Sequence, residues 1–151
     1  MRNLKNNHIP NHVEKIYLIS ICGTGMGALA CMLKDLGFQV SGSDQKIYPP
    51  MSTFLAGKGI PIHSGFNKKH ISYGSDLVIV GNAVTKDNPE VLQMRKMGLC
   101  YCSMPQAVNR FMLSGKKPIL VTGTHGKTTT SSILAWILYG AGMEPSFMIG
   151  G

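Results

Sequence analysis

Gly123-Thr124-His125-Gly126-Lys127-Thr128-Thr129 sets a lysine and a run of threonine hydroxyls directly behind two glycines. Such a turn, between a strand and a helix, wraps backbone N–H groups around a phosphate. Its lysine reaches the outer phosphates of a nucleoside triphosphate and its first threonine hydroxyl is a ligand for Mg²⁺. Lys127 is therefore the candidate catalytic cation and Thr128 the candidate metal ligand. Only Thr124 and His125 separate the glycines, a shorter spacer than the usual phosphate loop has. His125 reads either as a substrate contact or as loop filling.

A second turn of different chemistry lies near the other end. Gly23-Thr24-Gly25-Met26-Gly27-Ala28 follows the apolar run Ile16–Ile21. In this pattern Gly23 permits a tight turn, Gly25 lets the backbone approach a pyrophosphate, and Ala28 allows close helix–strand packing. Asp44 ends the next apolar stretch, where a carboxylate bonds a ribose hydroxyl. NAD and a UDP-sugar share this pyrophosphate-and-ribose outline, and the residues alone do not separate them. Asn82 and Ala83 follow another buried run, Asp76–Val80, in a loop that is either ligand-facing or an ordinary connection.

These turns need strands and helices to aim them. The pattern predicts strands at 15–21, 38–43, 60–63, 76–80 and 99–103, with helices between them. Met26, Leu29, Ala30, Leu33 and Leu36 form one face of the first helix, and Gly37 stops it. Pro49-Pro50 opens a helix to about Lys58. Asn88 caps a helix that has Pro89 at its first position, Glu90 at its positive end and Gly98 after its last turn. A further helix covers 105–113. This alternation predicts an α/β fold with a parallel sheet and right-handed crossovers.

Ser114-Gly115-Lys116-Lys117-Pro118 reads as a boundary. The expected division is a flexible tail over 1–14, a Rossmann-like domain over 15–114, and the beginning of a phosphate-loop α/β domain over 115–151. In the last part, 118–121 and 147–149 are expected strands and 128–139 a helix. Ile133, Leu134, Trp136, Ile137 and Leu138 make that helix apolar nearly all round, which predicts burial between layers. So short a stretch cannot supply those layers, so this domain is expected to be truncated.

Composition narrows the class. Fifteen Lys and Arg against seven Asp and Glu give a net charge of +8. The basic residues are scattered without interleaved aromatics, so the excess suits steering of anionic substrates better than nucleic acid. No apolar run approaches a membrane span, and no signal peptide is expected. Cys22, Cys31, Cys100 and Cys102 lack the spacing of metal or redox motifs, so reduced cytoplasmic thiols are expected.

Together the two turns resemble those of the Mur ligases, bacterial cytoplasmic enzymes that build or recycle peptidoglycan precursors. Gly123–Thr129 resembles that family's short ATP-binding loop. Ile21–Gly27, Gly42-Ser43-Asp44, Tyr48–Ser52 and Gly81-Asn82-Ala83 are most similar to the branch that joins UDP-N-acetylmuramate to L-alanyl-γ-D-glutamyl-meso-diaminopimelate. The branch that adds L-alanine is the alternative. The resemblance spans about Lys15 to Gly151. It implies ATP-dependent amide formation through an acyl phosphate, with ATP and Mg²⁺ required. The site residues it implies are Gly23, Thr24, Gly25, Met26, Gly27, Asp44, Asn82 and Ala83 for the UDP-sugar, and Gly123, Thr124, His125, Gly126, Lys127, Thr128 and Thr129 for ATP. The isolated chain is expected to bind the UDP-sugar without turning over. A redox or NAD(P)-sensing module, and a stand-alone nucleotide-binding module, remain the rival readings.

Overall fold

The computed structural model describes residues 6–149. Contacts divide the chain into two units, Met1–Ser114 and Gly115–Gly151.

The first unit is a five-stranded parallel sheet in the order β3-β2-β1-β4-β5. The strands are β1 (Lys15–Ile19), β2 (Gln39–Asp44), β3 (Ile62–Ser64), β4 (Leu77–Val80) and β5 (Tyr101–Ser103). Helices α1 (Thr24–Asp35), α2 (Met51–Gly57) and α3 (Pro89–Met97) make the crossovers, and α4 (Met104–Ala107) follows β5. Beyond α4 the helix widens into π-type turns over Val108–Met112, so the single expected helix at 105–113 has two geometries.

β1 is the sheet's buried centre and pairs with β2 on one side and β4 on the other. Alternation splits its side chains between faces. Tyr17 and Ile19 pack with Val78 and with Val91 and Met94 of α3. Ile16 and Leu18 turn to the opposite face, to which the crossover brings α1 with buried Leu29 and Leu33. β1 ends earlier than the expected Ile21, because Ser20 takes a left-handed backbone with φ 68°. Asn88 caps α3 as expected, its side chain accepting from the Glu90 and Val91 N–H groups, and Gly98 closes it at φ 67°.

The segment expected as a loose tail makes defined contacts over its described part. Tyr101 N–H donates to the Asn6 carbonyl at 2.9 Å, and Gln39 N–H to the Glu14 carbonyl at 2.8 Å. Asp76 accepts from the backbone N–H groups of Lys15 and Glu14, which holds its carboxyl below the usual range. Residues 1–5 of that expected tail lie outside the described residues.

Among the described residues the second unit has one helix, α5 (Lys127–Gly140). The expected strands at 118–121 and 147–149 are not formed. A strand needs a neighbour to complete its ladder, and this unit has none among the described residues. The expected burial of α5 is likewise absent: Trp136 is 75% exposed and Ile137 58%.

Candidate functional site

A cleft of about 510 Å³ opens at the carboxyl ends of β1, β2 and β4. The strand order reverses between β1 and β4, and parallel sheets bind ligands at such a switch point. The lining includes Ser20, Cys22 and Gly23 from the first glycine turn, Asp44 and Lys46 from the end of β2, and Tyr48 and Phe66. Its far wall is Ala83, Thr85 and Asp87 through Pro89.

The turn is aimed by strain and by a carboxylate. Ser20 and Ile21 N–H both donate to the Ser43 carbonyl, at 2.8 and 3.0 Å, so the left-handed Ser20 folds the chain across β2. Ile21 is then buried over Gly42, where a Cβ would collide with the Leu18 carbonyl oxygen and Ile21. Asp44, only 7% exposed, receives the next amide: Cys22 N–H donates to its Oδ2 at 2.8 Å. Ser20 Oγ donates to the same oxygen at 3.3 Å, and Lys46 N–H to Oδ1 at 3.0 Å. Burial, with the Asp44 charge second, pushes the Cys22 thiol up to about 11.

α1 begins at Thr24 with no side chain capping it. Its first N–H groups and the positive end of its dipole are free for an anion. Gly23 and Thr24 are exposed at this end and Gly25 is half-buried. Gly23 has φ −63°, open to any residue, so its bare Cα matters for the room it leaves beside the cleft. Two expected ligand residues have other positions. Met26 is buried beneath Gly81, and Gly27 is buried where a Cβ would strike the Met51 side chain of α2. The Met26 side chain and the bare Cα of Gly27 serve packing, because helical periodicity turns them inward from the exposed Gly23-Thr24 end, while Met26 N–H is one of the uncapped amides that begin α1. Ala83 lines the cleft, while Asn82 is exposed beside it.

Sequence reasoning missed the wall that holds Phe66 and Asp87–Pro89 in place. Glu90 is fully buried and points under the sheet end. Its Oε2 accepts from Ser43 Oγ, and its Oε1 accepts from Tyr17 Oη at 3.3 Å and Asn67 N–H at 3.2 Å. His70 Nδ1 lies 2.8 Å from Oε1 and stacks on His63 with ring centroids 4.5 Å apart. Burial raises the Tyr17 phenol well above its ordinary 10.0. The only sequence signal was an acidic residue at a helix start, which reads as dipole compensation on a solvated surface.

In the second unit, Gly126 has φ 75° and caps α5 without a side-chain bond. That left-handed conformation favours glycine. Lys127 Nζ donates to the Gly123 carbonyl at 2.9 Å and to the Thr124 carbonyl at 3.5 Å. The ammonium thus folds back onto the carbonyls of its own loop. His125 Nδ1 lies 3.2 Å from Thr124 Oγ1, and Thr128 and Thr129 occupy the first turn of α5. No helix among the described residues is long and apolar enough to cross a membrane.

Comparison with known proteins adds an independent line. Residues 15–116 match the Mur ligase family, catalytic domain. The chain is 44% identical over 137 residues to the UDP-N-acetylmuramate–L-alanyl-γ-D-glutamyl-meso-2,6-diaminoheptandioate ligase of Escherichia coli K12, covering 91% of this chain and 30% of that protein. The crystal structure of the corresponding Neisseria meningitides ligase superposes with a TM-score of 0.87 at 42% identity, covering 93% of this chain and 44% of that one. A UDP-N-acetylmuramate–alanine ligase from Thermotoga maritima gives 0.80 at 33% identity, covering 93% of this chain and 32% of that one. The chain therefore spans about three tenths of the length of the first of these relatives. With the parallel α/β sheet and both glycine turns in place, this chain belongs to the Mur ligase family.

Proposed function

We propose that this chain carries the UDP-sugar site and the ATP phosphate loop of a ligase joining UDP-N-acetylmuramate to L-alanyl-γ-D-glutamyl-meso-diaminopimelate in peptidoglycan recycling. The observation that carries the reading is the switch-point cleft, where the uncapped start of α1 meets Asp44 and Ala83. The similarity to tripeptide ligases at 44% and 42% identity favours this amine over L-alanine.

In the reaction, the muramate carboxylate attacks the γ-phosphorus of ATP and ADP leaves, giving an acyl phosphate. The peptide amine then attacks the acyl carbon, releasing phosphate and a proton as the amide forms. Carboxylate and triphosphate repel, so cations must neutralise the transferring group. Lys127 supplies one when its ammonium swings from the Gly123 carbonyl to the β/γ-phosphates. The remaining residues of Gly123–Thr129 would wrap the phosphates through backbone N–H groups. Thr128 would hold Mg²⁺, which contributes charge neutralisation when bound. In the first unit, Gly23, Thr24 and Gly25 would face the diphosphate at the start of α1. The four free cysteines suit a reducing cytoplasm.

Calorimetry of this chain with UDP-N-acetylmuramate and with NADH tests the first site. The sugar nucleotide binds and NADH does not, and Gly25→Val abolishes binding by blocking the approach to the diphosphate. Equal affinity in wild type and Gly25→Val, or preference for NADH, removes the assignment.

A further inference from the structure

We infer that Asp44 is a positioning residue for the diphosphate and not the ribose partner that its place after β2 suggests; this rests on the UDP-sugar reading above. Three donors already occupy its carboxylate: Cys22 N–H, Ser20 Oγ–H and Lys46 N–H. A carboxylate has about four acceptor positions, so most of this group is committed to the protein. Two of its donors bracket the left-handed turn. Ser20, at φ 68°, is a non-glycine residue in a costly conformation, and such strain persists only where surrounding bonds over-determine it. The Ser43 carbonyl, receiving Ser20 and Ile21 N–H, holds one side of that turn. Asp44 holds the other, through Ser20 Oγ and the Cys22 amide. The next residue, Gly23, is the cap of α1. Asp44 therefore fixes the direction in which the uncapped α1 N–H groups point, and acts on the ligand's phosphates through them.

The two roles differ in which part of the ligand senses the residue. A ribose partner is coupled to the 2′- and 3′-hydroxyls, and a turn clamp to the phosphates. Asp44→Asn and Ser20→Ala are to be measured against UDP, 2′-deoxy-UDP, 3′-deoxy-UDP and uridine by calorimetry. Asp44→Asn is expected to weaken all three diphosphates by the same factor, about tenfold, since a loosened turn lowers the fraction of competent sites. Uridine, lacking phosphates, is expected to change little. Ser20→Ala leaves the carboxylate in place, and is expected to weaken the same three ligands by a smaller common factor. Loss of the Asp44→Asn penalty with either deoxy analogue overturns the proposal. So does an unchanged UDP affinity in Ser20→Ala, which also decides the matter if Asp44→Asn does not fold.

Amide exchange in the ligand-free chain reads the clamp without any nucleotide. The Cys22 amide is expected to be protected in wild type and to exchange faster in both variants; an unprotected wild-type amide overturns the clamp. A protected Cys22 amide in a wild type that ignores UDP retains the clamp and removes the UDP-sugar reading instead.

Discussion

Replacing Glu90 by leucine sets two large terms against each other. The substitution removes a fully buried carboxylate, whose desolvation is costly, and fills the space with an apolar group of similar size. It also strips four donors of their acceptor. Asn67 N–H and His70 are near enough to solvent to recruit water. Ser43 and Tyr17 are not, with exposures of 0% and 2%. Tyr17 and Ser43 can still bond each other, which leaves one of the two hydroxyl protons without an acceptor. At about 1–3 kcal/mol for that group, partly offset by the relieved desolvation, Glu90→Leu is expected to destabilise the first unit by roughly 1–3 kcal/mol. Glu90→Gln keeps an oxygen for the Oε1 donors and turns its amide toward Ser43, whose hydroxyl rotates to accept; a loss of about 1–2 kcal/mol follows from the lost charge. Urea unfolding followed by circular dichroism gives both values. Tyr17→Phe supplies the internal check: it is expected to cost more stability in wild type than in Glu90→Leu, where the hydroxyl keeps only Ser43 beside it. Equal cost in both backgrounds, or a Glu90→Leu chain as stable as wild type, would refute the reasoning.

Glycine packing makes a graded pair. Gly42→Ala puts a methyl against the Leu18 carbonyl and Ile21, whereas Gly27→Ala meets only the flexible Met51 side chain. Thermal melts are expected to show the larger loss for Gly42→Ala, about 2 kcal/mol or more, and Met51→Ala is expected to relieve Gly27→Ala alone. Stability is also expected to fall at high pH. Burial pushes the Cys102 thiol up to about 12 from 9.0 and raises Tyr17 above 10.0. Both groups stay protonated in the fold while the unfolded chain ionises. The stabilisation is therefore complete below about pH 9 and is lost as pH rises toward 12, which urea midpoints across that range would show. Lys127→Met is expected to cut affinity for Mg-ATP at least tenfold while leaving UDP-N-acetylmuramate binding unchanged, measured by calorimetry. A parallel loss of both ligands would tie the two sites together.

Much of the fold was legible because its signals are local. The apolar cores of β1 and β4, the Asn88-Pro89 start of α3 and its Gly98 stop each depend on a few adjacent residues. Boundaries shifted where a distant group decides them. β1 stops at Ile19 because left-handed Ser20 turns the following amide, Ile21 N–H, onto the same Ser43 carbonyl that already takes the ladder bond from Ser20 N–H, a contact that nothing near Ser20 announces. The strand at 118–121 does not form for the same reason in reverse: its propensity is sound, but a ladder needs a partner that is lacking among the described residues of this unit.

The candidate site divides along the same line. A glycine turn before an amphipathic helix advertises free N–H groups, and α1 duly starts uncapped. A motif, however, records residue types and not which way each side chain turns. Gly25 and Gly27 are equivalent as letters, yet only Gly27 is buried against Met51, for the helix turns by about 100° per residue. Carboxylates are harder still, because their role is set by whichever donors the tertiary fold brings near. Asp44 and Glu90 looked like a ligand contact and a dipole partner. In the fold Asp44 also receives the backbone of the turn ahead of α1, and Glu90, in the first turn of α3, also ties β1, β2 and the segment after Phe66 to that helix start. Asp44 bonds Ser20, Cys22 and Lys46 in the cleft lining, and Glu90 bonds Ser43 and Asn67, the chain neighbours of the lining residues Asp44 and Phe66, so the shape of that cleft depends on two carboxyl groups whose own oxygens are largely spoken for.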